Sequence, residues 1–252
     1  LVLHFAAGEE CGEPGTQSLV KRGYTGDWGI VLEPTNLAVA TAMRGVVWYS
    51  IRLAGASTHA SSRQSGKNPI LQLGNVLAVL DRCDAGLEGR RHPLMGIGTL
   101  TPTMIRAGVE HNAVPDGCEI VVDRRMIAGE TPEGILAELR RLVSEAVDPS
   151  SGITSSVEIV HHPFLPVEIP EDSPFVKGVK GAFEAVTGKP PRIESTPYSS
   201  DIRNLVYDAG MEAITFGAGD ISKCHAPDER IEIADLRTAT LVIARVATEL
   251  LW

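Results

Sequence analysis

The feature that most constrains this chain is a change of hydrophobic period near Gly45. From there Val47, Tyr49, Ile51 and Leu53 alternate with Trp48, Ser50 and Arg52, the pattern of a strand in a sheet with two unlike faces. Asn68-Pro69 then opens a helical stripe of Ile70, Leu71, Leu73, Val76, Leu77 and Leu80. Strands follow over 96–106 and 118–127. Thr131-Pro132-Glu133 starts a second helix, whose apolar stripe is Ile135, Leu136, Leu139, Leu142, Val143 and Ala146, and a strand over 153–160 closes the series. The order is β-α-β-β-α-β, the ferredoxin-like arrangement. On either side the apolar runs are short and nearly continuous, as in strands buried on both faces. Residues 1–7 and 28–32 read as such strands around a helix over 16–22 closed by Gly23. After Pro163 the pattern predicts helices over 174–187, 201–209 and 235–250, with strands near 192–196 and 213–217. The expected architecture is an α/β domain with a parallel sheet, built from residues 1–44 and 161–252, interrupted by an inserted module of residues 45–160.

Composition narrows the function classes. The chain is 43% hydrophobic and 22% charged, a globular mix and not a disordered one. Its formal net charge of −9 repels phosphate backbones, and basic pairs such as Lys21-Arg22 and Arg90-Arg91 stand isolated, so no nucleic-acid partner is expected. No apolar run approaches the roughly 18–20 residues of a membrane span. Cys11, Cys83, Cys118 and Cys224 are widely spaced, which speaks against a disulfide framework or a structural zinc cluster and for a reducing cytoplasm. Leu1-Val2-Leu3-His4-Phe5 carries no leader pattern and reads as a strand already under way, so the chain is expected to lack an N-terminal portion of its parent protein.

Several residues have the chemistry of a site. Glu9-Glu10 follow the first expected strand and Glu33 ends the second, and ligands of open α/β sheets bind beyond the carboxyl ends of strands. Carboxylate oxygens with an imidazole suit Zn²⁺, Mn²⁺ or Co²⁺. The imidazole candidate is His225, in a glycine-rich loop over 217–229 that also follows a strand. Taken singly, each carboxylate is equally a solvated loop charge. His59 lies in the small-residue loop Gly55-Ala56-Ser57-Thr58-His59-Ala60-Ser61, and Asn112 fits an Asx turn as well as a binding site. Arg124 and Arg125 point to opposite faces of one strand, leaving one to meet a carboxylate and the other to be solvated or salt-bridged. Ser199-Ser200-Asp201 also reads as a helix cap, and His4, His161 and His162 read as structural. There is no nucleophile elbow, phosphate-binding loop or dinucleotide fingerprint. Cys11, beside Glu10, has no histidine base near it in sequence.

Taken together, the segments 8–20 (GEECGEPGTQSLV), 31–36 (VLEPTN), 55–70, 107–133, 199–204 (SSDIRN) and 224–231 (CHAPDERI) resemble the di-zinc metallopeptidase family of acetylornithine deacetylase, succinyl-diaminopimelate desuccinylase, aminoacylase and carboxypeptidase G type. The resemblance implies a zinc-binding α/β domain with an inserted ferredoxin-like dimerisation lid, and a homodimer. It implies two zinc ions per complete subunit, with cobalt or manganese as substitutes. Glu9 then corresponds to the general base for the attacking water, Glu10 and His225 to ligands of one metal, and Glu33 to a ligand of the other. His59 resembles the lid histidine that serves the partner subunit's site. Asn112, Arg125 and Ser200 fall at substrate-binding positions, with Arg124 competing for the arginine role. The implied reaction is hydrolysis of an amide bond in a small carboxylate-bearing N-acyl amino acid or dipeptide. The family also carries an H-x-D ahead of its Glu-Glu pair, and no such motif stands between Leu1 and Glu9. The chain is therefore expected to be an incomplete piece of such an enzyme, with a non-catalytic short form acting in dimerisation or ligand binding as the alternative.

Overall fold

In the computed structural model, which describes residues 1–250, two hydrophobic cores form around two separate sheets. In chain order the elements are α1 (Pro14–Lys21), β1 (Trp28–Val31), β2 (Val39–Met43), β3 (Gly45–Ala54), β4 (Thr58–His59), α2 (Leu73–Gly86) and β5 (Thr99–Ala107). They continue with β6 (Ala113–Val114), β7 (Gly117–Met126), α3 (Pro132–Ala146), β8 (Thr154–Ile159), β9 (Val167–Glu168), α4 (Pro174–Thr187), β10 (Ile193–Thr196), β11 (Glu212–Thr215) and α5 (Ile233–Leu250). Leu1–Arg44 and the chain from Pro166 onward make one unit, and Gly45–Leu165 the other.

The first unit is built on a mixed sheet in the order β1-β11-β2-β9, with β10 also paired to β2. β1 runs parallel to β11, and β10 to β2, but β2 is antiparallel to both β11 and β9. The sheet is thus not the parallel one expected. The difference starts at residues 1–7, which form no strand: Phe5 is 91% and Leu3 69% exposed, and β1 ladders with β11 alone. Apolar composition favours a strand only where a neighbouring ladder takes up the backbone N–H and C=O groups. β2 went unread because Val39-Ala40-Thr41-Ala42-Met43 is buried on both faces, so it shows no alternation, and two of its five residues are alanines, which strands disfavour. In α4, Ser173 Oγ accepts the Val176 N–H at 3.1 Å, and the left-handed Gly188 closes the helix. The helix expected over 201–209 forms over 202–208, but from Asn204 to Asp208 it is wound wider than an α-helix, and the Ala209 N–H reaches back five residues to the Asn204 carbonyl.

The second unit is an antiparallel sheet in the order β8-β3-β7-β5, with Val47, Tyr49, Ile51 and Leu53 packed into a core shared with α2 and α3. Thr131 Oγ1 accepts the Gly134 N–H at 3.1 Å, Pro132 takes the first helical position, and Ile135, Leu139 and Val143 are buried. α2 begins later than its apolar run. Pro69–Gln72 is a tighter turn of about three residues per turn, which rotates Ile70 and Leu71 out of the 3.6-residue stripe and leaves Leu71 75% exposed.

Arg124, 2% exposed, is fixed in this unit: its guanidinium pairs with Glu130 and bonds the carbonyls of Thr99 and Arg125. Arg125 lies on the more open face, forked onto Asp123 at 2.8 and 3.2 Å. Replacing Arg124 by Ala removes the buried partner of the mostly enclosed Glu130, leaving it only the Ile127 N–H at 3.0 Å and Arg90 at 4.0 Å, and should cost about 3 kcal/mol in denaturant unfolding. Arg125→Ala should cost about 1 kcal/mol or less. Equal losses would contradict the assignment.

Candidate active site

Glu9 and Glu10 lie in a single tight turn, Glu9–Cys11, between Gly8 and Gly12. Both glycines adopt the left-handed conformation (φ 80° and 89°), which a side chain would strain. The Cys11 and Glu13 N–H groups both donate to the Gly8 carbonyl at 3.0 Å, so the turn closes on itself immediately before α1. Successive residues of such a turn diverge by roughly a third of a revolution, which separates the two carboxylates.

Glu33 lies just beyond the carboxyl end of β1, and the loop carrying His225 leaves the same end of the parallel neighbour β11. The two loops are tied together. Asn36 N–H donates to the Gly219 carbonyl at 2.7 Å, Leu37 N–H to that of Gly217 at 3.0 Å, and Gly217 N–H to Thr35 Oγ1 at 3.1 Å. A Cβ at position 217 would lie 2.5 Å from the Glu33 carbonyl oxygen, so only glycine allows this approach. His225 is left-handed (φ 58°), its N–H donates to Glu229 Oε2 at 3.0 Å, and its Nδ1 stands 3.8 Å from Glu10 Oε1.

The electrostatics show a crowd of carboxyls. Burial, reinforced by Glu9, Asp201 and Glu10, pushes Glu33 up to about 7. Burial also raises Glu9, helped by Asp201 and Glu10 and opposed by His225. Asp201 is raised by burial against the pull of Thr16, Arg203 and His4. The Tyr198 phenol, whose hydroxyl is 3.5 Å from the Pro34 carbonyl, is raised by burial and then by Glu33, Cys224 and Glu9. Strain gathers here too. Among the described residues the non-glycine positions with positive φ are Glu13, Asn36, Leu37 and His225, each within four residues of Glu10, Glu33 or His225 or one of them. Such strain persists where the surrounding structure over-determines it, and it concentrates at functional sites.

The structure therefore brings Glu9, Glu10, Glu33 and His225 together. It adds Asp201 and Tyr198, which sequence reasoning missed: Asp201 read as a cap, and Tyr198 carried no motif. Ser200 departs from its expected role of meeting substrate. It is fully buried, with its N–H and hydroxyl on Met43 Sδ at 3.3 and 3.8 Å. His59 and Asn112 belong to the other unit, where β4 pairs β6 with His59 opposite Ala113, and the Ala60 N–H donates to the Asn112 carbonyl at 2.8 Å. His59 Nδ1 accepts the Ser61 N–H at 3.2 Å, and the ring is exposed.

As donors, two carboxylates and an imidazole fit a divalent cation, whose charge would relieve the mutual repulsion of Glu9, Glu10, Glu33 and Asp201. Their arrangement is a Glu10–His225 pair with Glu33 as neighbour: among the described residues no group of three or more His, Cys, Asp or Glu stands in ligating geometry.

The sequence pattern of peptidase family M20/M25/M40 matches residues 1–249. The chain belongs to this family. It is 27% identical over 252 residues to acetylornithine deacetylase of Myxococcus xanthus, covering 97% of this chain and 63% of that protein. Among solved structures it is similar to aminopeptidase PepT of Bacillus cereus, with a TM-score of 0.76, 21% identity and coverage of 96% of this chain and 63% of PepT. It is also similar to YXEP of Bacillus subtilis, described as a dinuclear metal-binding peptidase of family M20, with a TM-score of 0.70, 20% identity and coverage of 98% of this chain and 64% of YXEP. These structures share the α/β fold, and the chain spans 63% of the length of the curated relatives it first matches. M20 peptidases are metal-dependent hydrolases, and among the described residues no helix is long and apolar enough to cross a membrane.

Glu13, 1% exposed at the start of α1, is likewise pushed up to about 7, burial outweighing Arg203 and Asn204. The folded state binds its proton more tightly than the unfolded state does. Its contribution to stability is therefore fullest below the ordinary carboxyl range and declines as pH rises from about 4.5 to about 7. Melting of metal-free protein should show Glu13→Gln gaining on the native chain across that window. A difference independent of pH would contradict the shift.

Proposed function

We propose that the protein carrying this chain hydrolyses an amide bond in a small carboxylate-bearing N-acyl amino acid or dipeptide, with divalent cations, zinc foremost and cobalt or manganese as substitutes. The observation that carries this reading is the convergence of Glu9, Glu33 and Asp201 with the Glu10–His225 pair in a chain of family M20. The relative named acetylornithine deacetylase supports an acylated amino acid as substrate.

Glu10 and His225 would hold one cation and Glu33 the other. When bound, such cations supply Lewis acidity that acidifies water near neutral pH and steadies negative charge on the scissile carbonyl. Glu9, left out of the ligand set, takes the proton of the attacking water and passes it to the leaving amine. Its raised proton affinity, from burial and from Asp201 and Glu10, suits a base that must also act as an acid. The division of labour is residues 1–44 and 161–252 as the metal-binding catalytic domain and residues 45–160 as a dimerisation lid. The stretch 251–252 lies outside the described residues. In the homodimer His59 acts in the site of the partner subunit, donating to the substrate carbonyl, while Asn112 and Arg125 bind substrate, the arginine through the guanidinium edge that Asp123 leaves open. Ser200, buried against Met43, sets the loop that presents Asp201.

Glu9→Gln should lower kcat by about 10²–10⁴-fold with zinc content unchanged. His59→Ala should cost about 10²-fold or more in kcat. Steady-state assays on N-acyl amino acids with metal analysis check both, and undiminished turnover by Glu9→Gln removes Glu9 from its role. A second reading, a non-catalytic binding module, draws on the lack of three residues in ligating geometry among the described residues. Zinc-loaded protein that turns over no N-acyl amino acid or dipeptide would favour it.

A further inference from the structure

Glu13 is a buried carboxyl that the reaction above does not use. It is held left-handed at φ 63° directly after the Glu-Glu turn, and although it stands where a residue caps a helix, its side chain does not cap α1. Its Oε2 instead accepts a hydrogen bond from Asn204 Nδ2 at 2.7 Å, and Arg203 Nε stands 2.9 Å from the same oxygen as its ion-pair partner. All three residues are buried, Asn204 completely. The backbone at the far end is unusual as well: Arg203 leads straight into the wide turn Asn204–Asp208. Such turns are rare and recur at functional sites. Two residues before Arg203 stands Asp201, whose proton affinity the Thr16 side chain in the first turn of α1 lowers.

A buried ion pair is a poor stabiliser, because desolvation offsets its attraction, and an apolar pair of similar size often folds as well. The raised proton affinity of Glu13 agrees with that. What the pair supplies is a fixed distance. It joins the segment that carries Glu9 and Glu10, through the N–H groups that Glu13 and Cys11 place on Gly8, to the segment that carries Asp201.

We infer that Glu13 and Arg203, with Asn204, are positioning residues that hold the Glu9–Glu10 turn in register with Asp201. The inference rests on the hydrolase reading for its consequence in catalysis, and on geometry alone for its consequence in the turn. The test is the double variant Glu13→Met/Arg203→Met in the full protein, zinc-loaded at pH 8, where Glu13 is ionised. A purely structural pair, once replaced by two packed methionines, regains melting temperature and activity together. Positioning residues regain only the first. The expected result is a melting temperature within a few degrees of the native protein, the Cys11 amide exchanging with deuterium about tenfold faster, and kcat lower by about tenfold or more, with KM and zinc content unchanged. Glu13→Gln keeps the acceptor oxygen for Asn204 Nδ2 and the same shape beside Arg203, and should retain most of kcat. A folded double variant with native exchange at Cys11 and native kcat overturns the inference. Should the double variant fail to fold, Arg203→Lys, which keeps the charge but loses the guanidinium that stands against Glu13, is read by the same two measurements. If the native protein hydrolyses no amide, the hydrolase reading fails and the exchange rate at Cys11 alone decides the positioning role.

Discussion

Like charges held close together need a rigid frame, and much of the first unit serves to provide one. Burial withdraws the water that would screen Glu9, Glu33 and Asp201, and Asp201 and Glu10 raise the proton affinity of Glu9 as Glu9, Asp201 and Glu10 raise that of Glu33. A flexible chain would let them move apart. They are kept together by a glycine-bounded turn, by paired loops at the ends of β1 and β11, and by backbone conformations that leave little freedom. The cost is visible as left-handed φ values at Glu13, Asn36, Leu37 and His225. A cation is the natural counterweight to such a cluster, and the Glu10–His225 pair supplies donors of the right kind.

Where local pattern and tertiary environment agree, the fold was legible in the sequence. The alternation of β3, the Thr131 cap of α3 and the Ser173-Pro174 start of α4 are local signals, and packing does not override them. The misread strands share one cause, that strand formation depends on partners. Residues 1–7 are apolar but have no ladder, whereas the alanine-containing β2 is a central strand because other strands surround it. The mixed direction of the sheet follows from pairings that no single segment encodes.

The candidate site divides the same way. Glu9, Glu10, Glu33 and His225 stood out because each follows or ends an apolar run in a loop with its own composition. Asp201 was masked by the ordinary capping role of a Ser-Ser-Asp sequence. Glu13 had no local signal at all, since its hydrogen-bond partner Asn204 lies 191 residues away. Between the two arginines, burial decided what alternation could not: Arg124 is enclosed against Glu130, and Arg125 remains on the open face.

The central claim is that the carboxylates and His225 form a divalent cation site, and calorimetric zinc titration of the metal-free protein tests it most directly. The account predicts binding that weakens by orders of magnitude when Glu10 and His225 are both replaced by Ala, and also when Glu33 alone is replaced. Zinc binding of undiminished affinity and stoichiometry in those variants would contradict it.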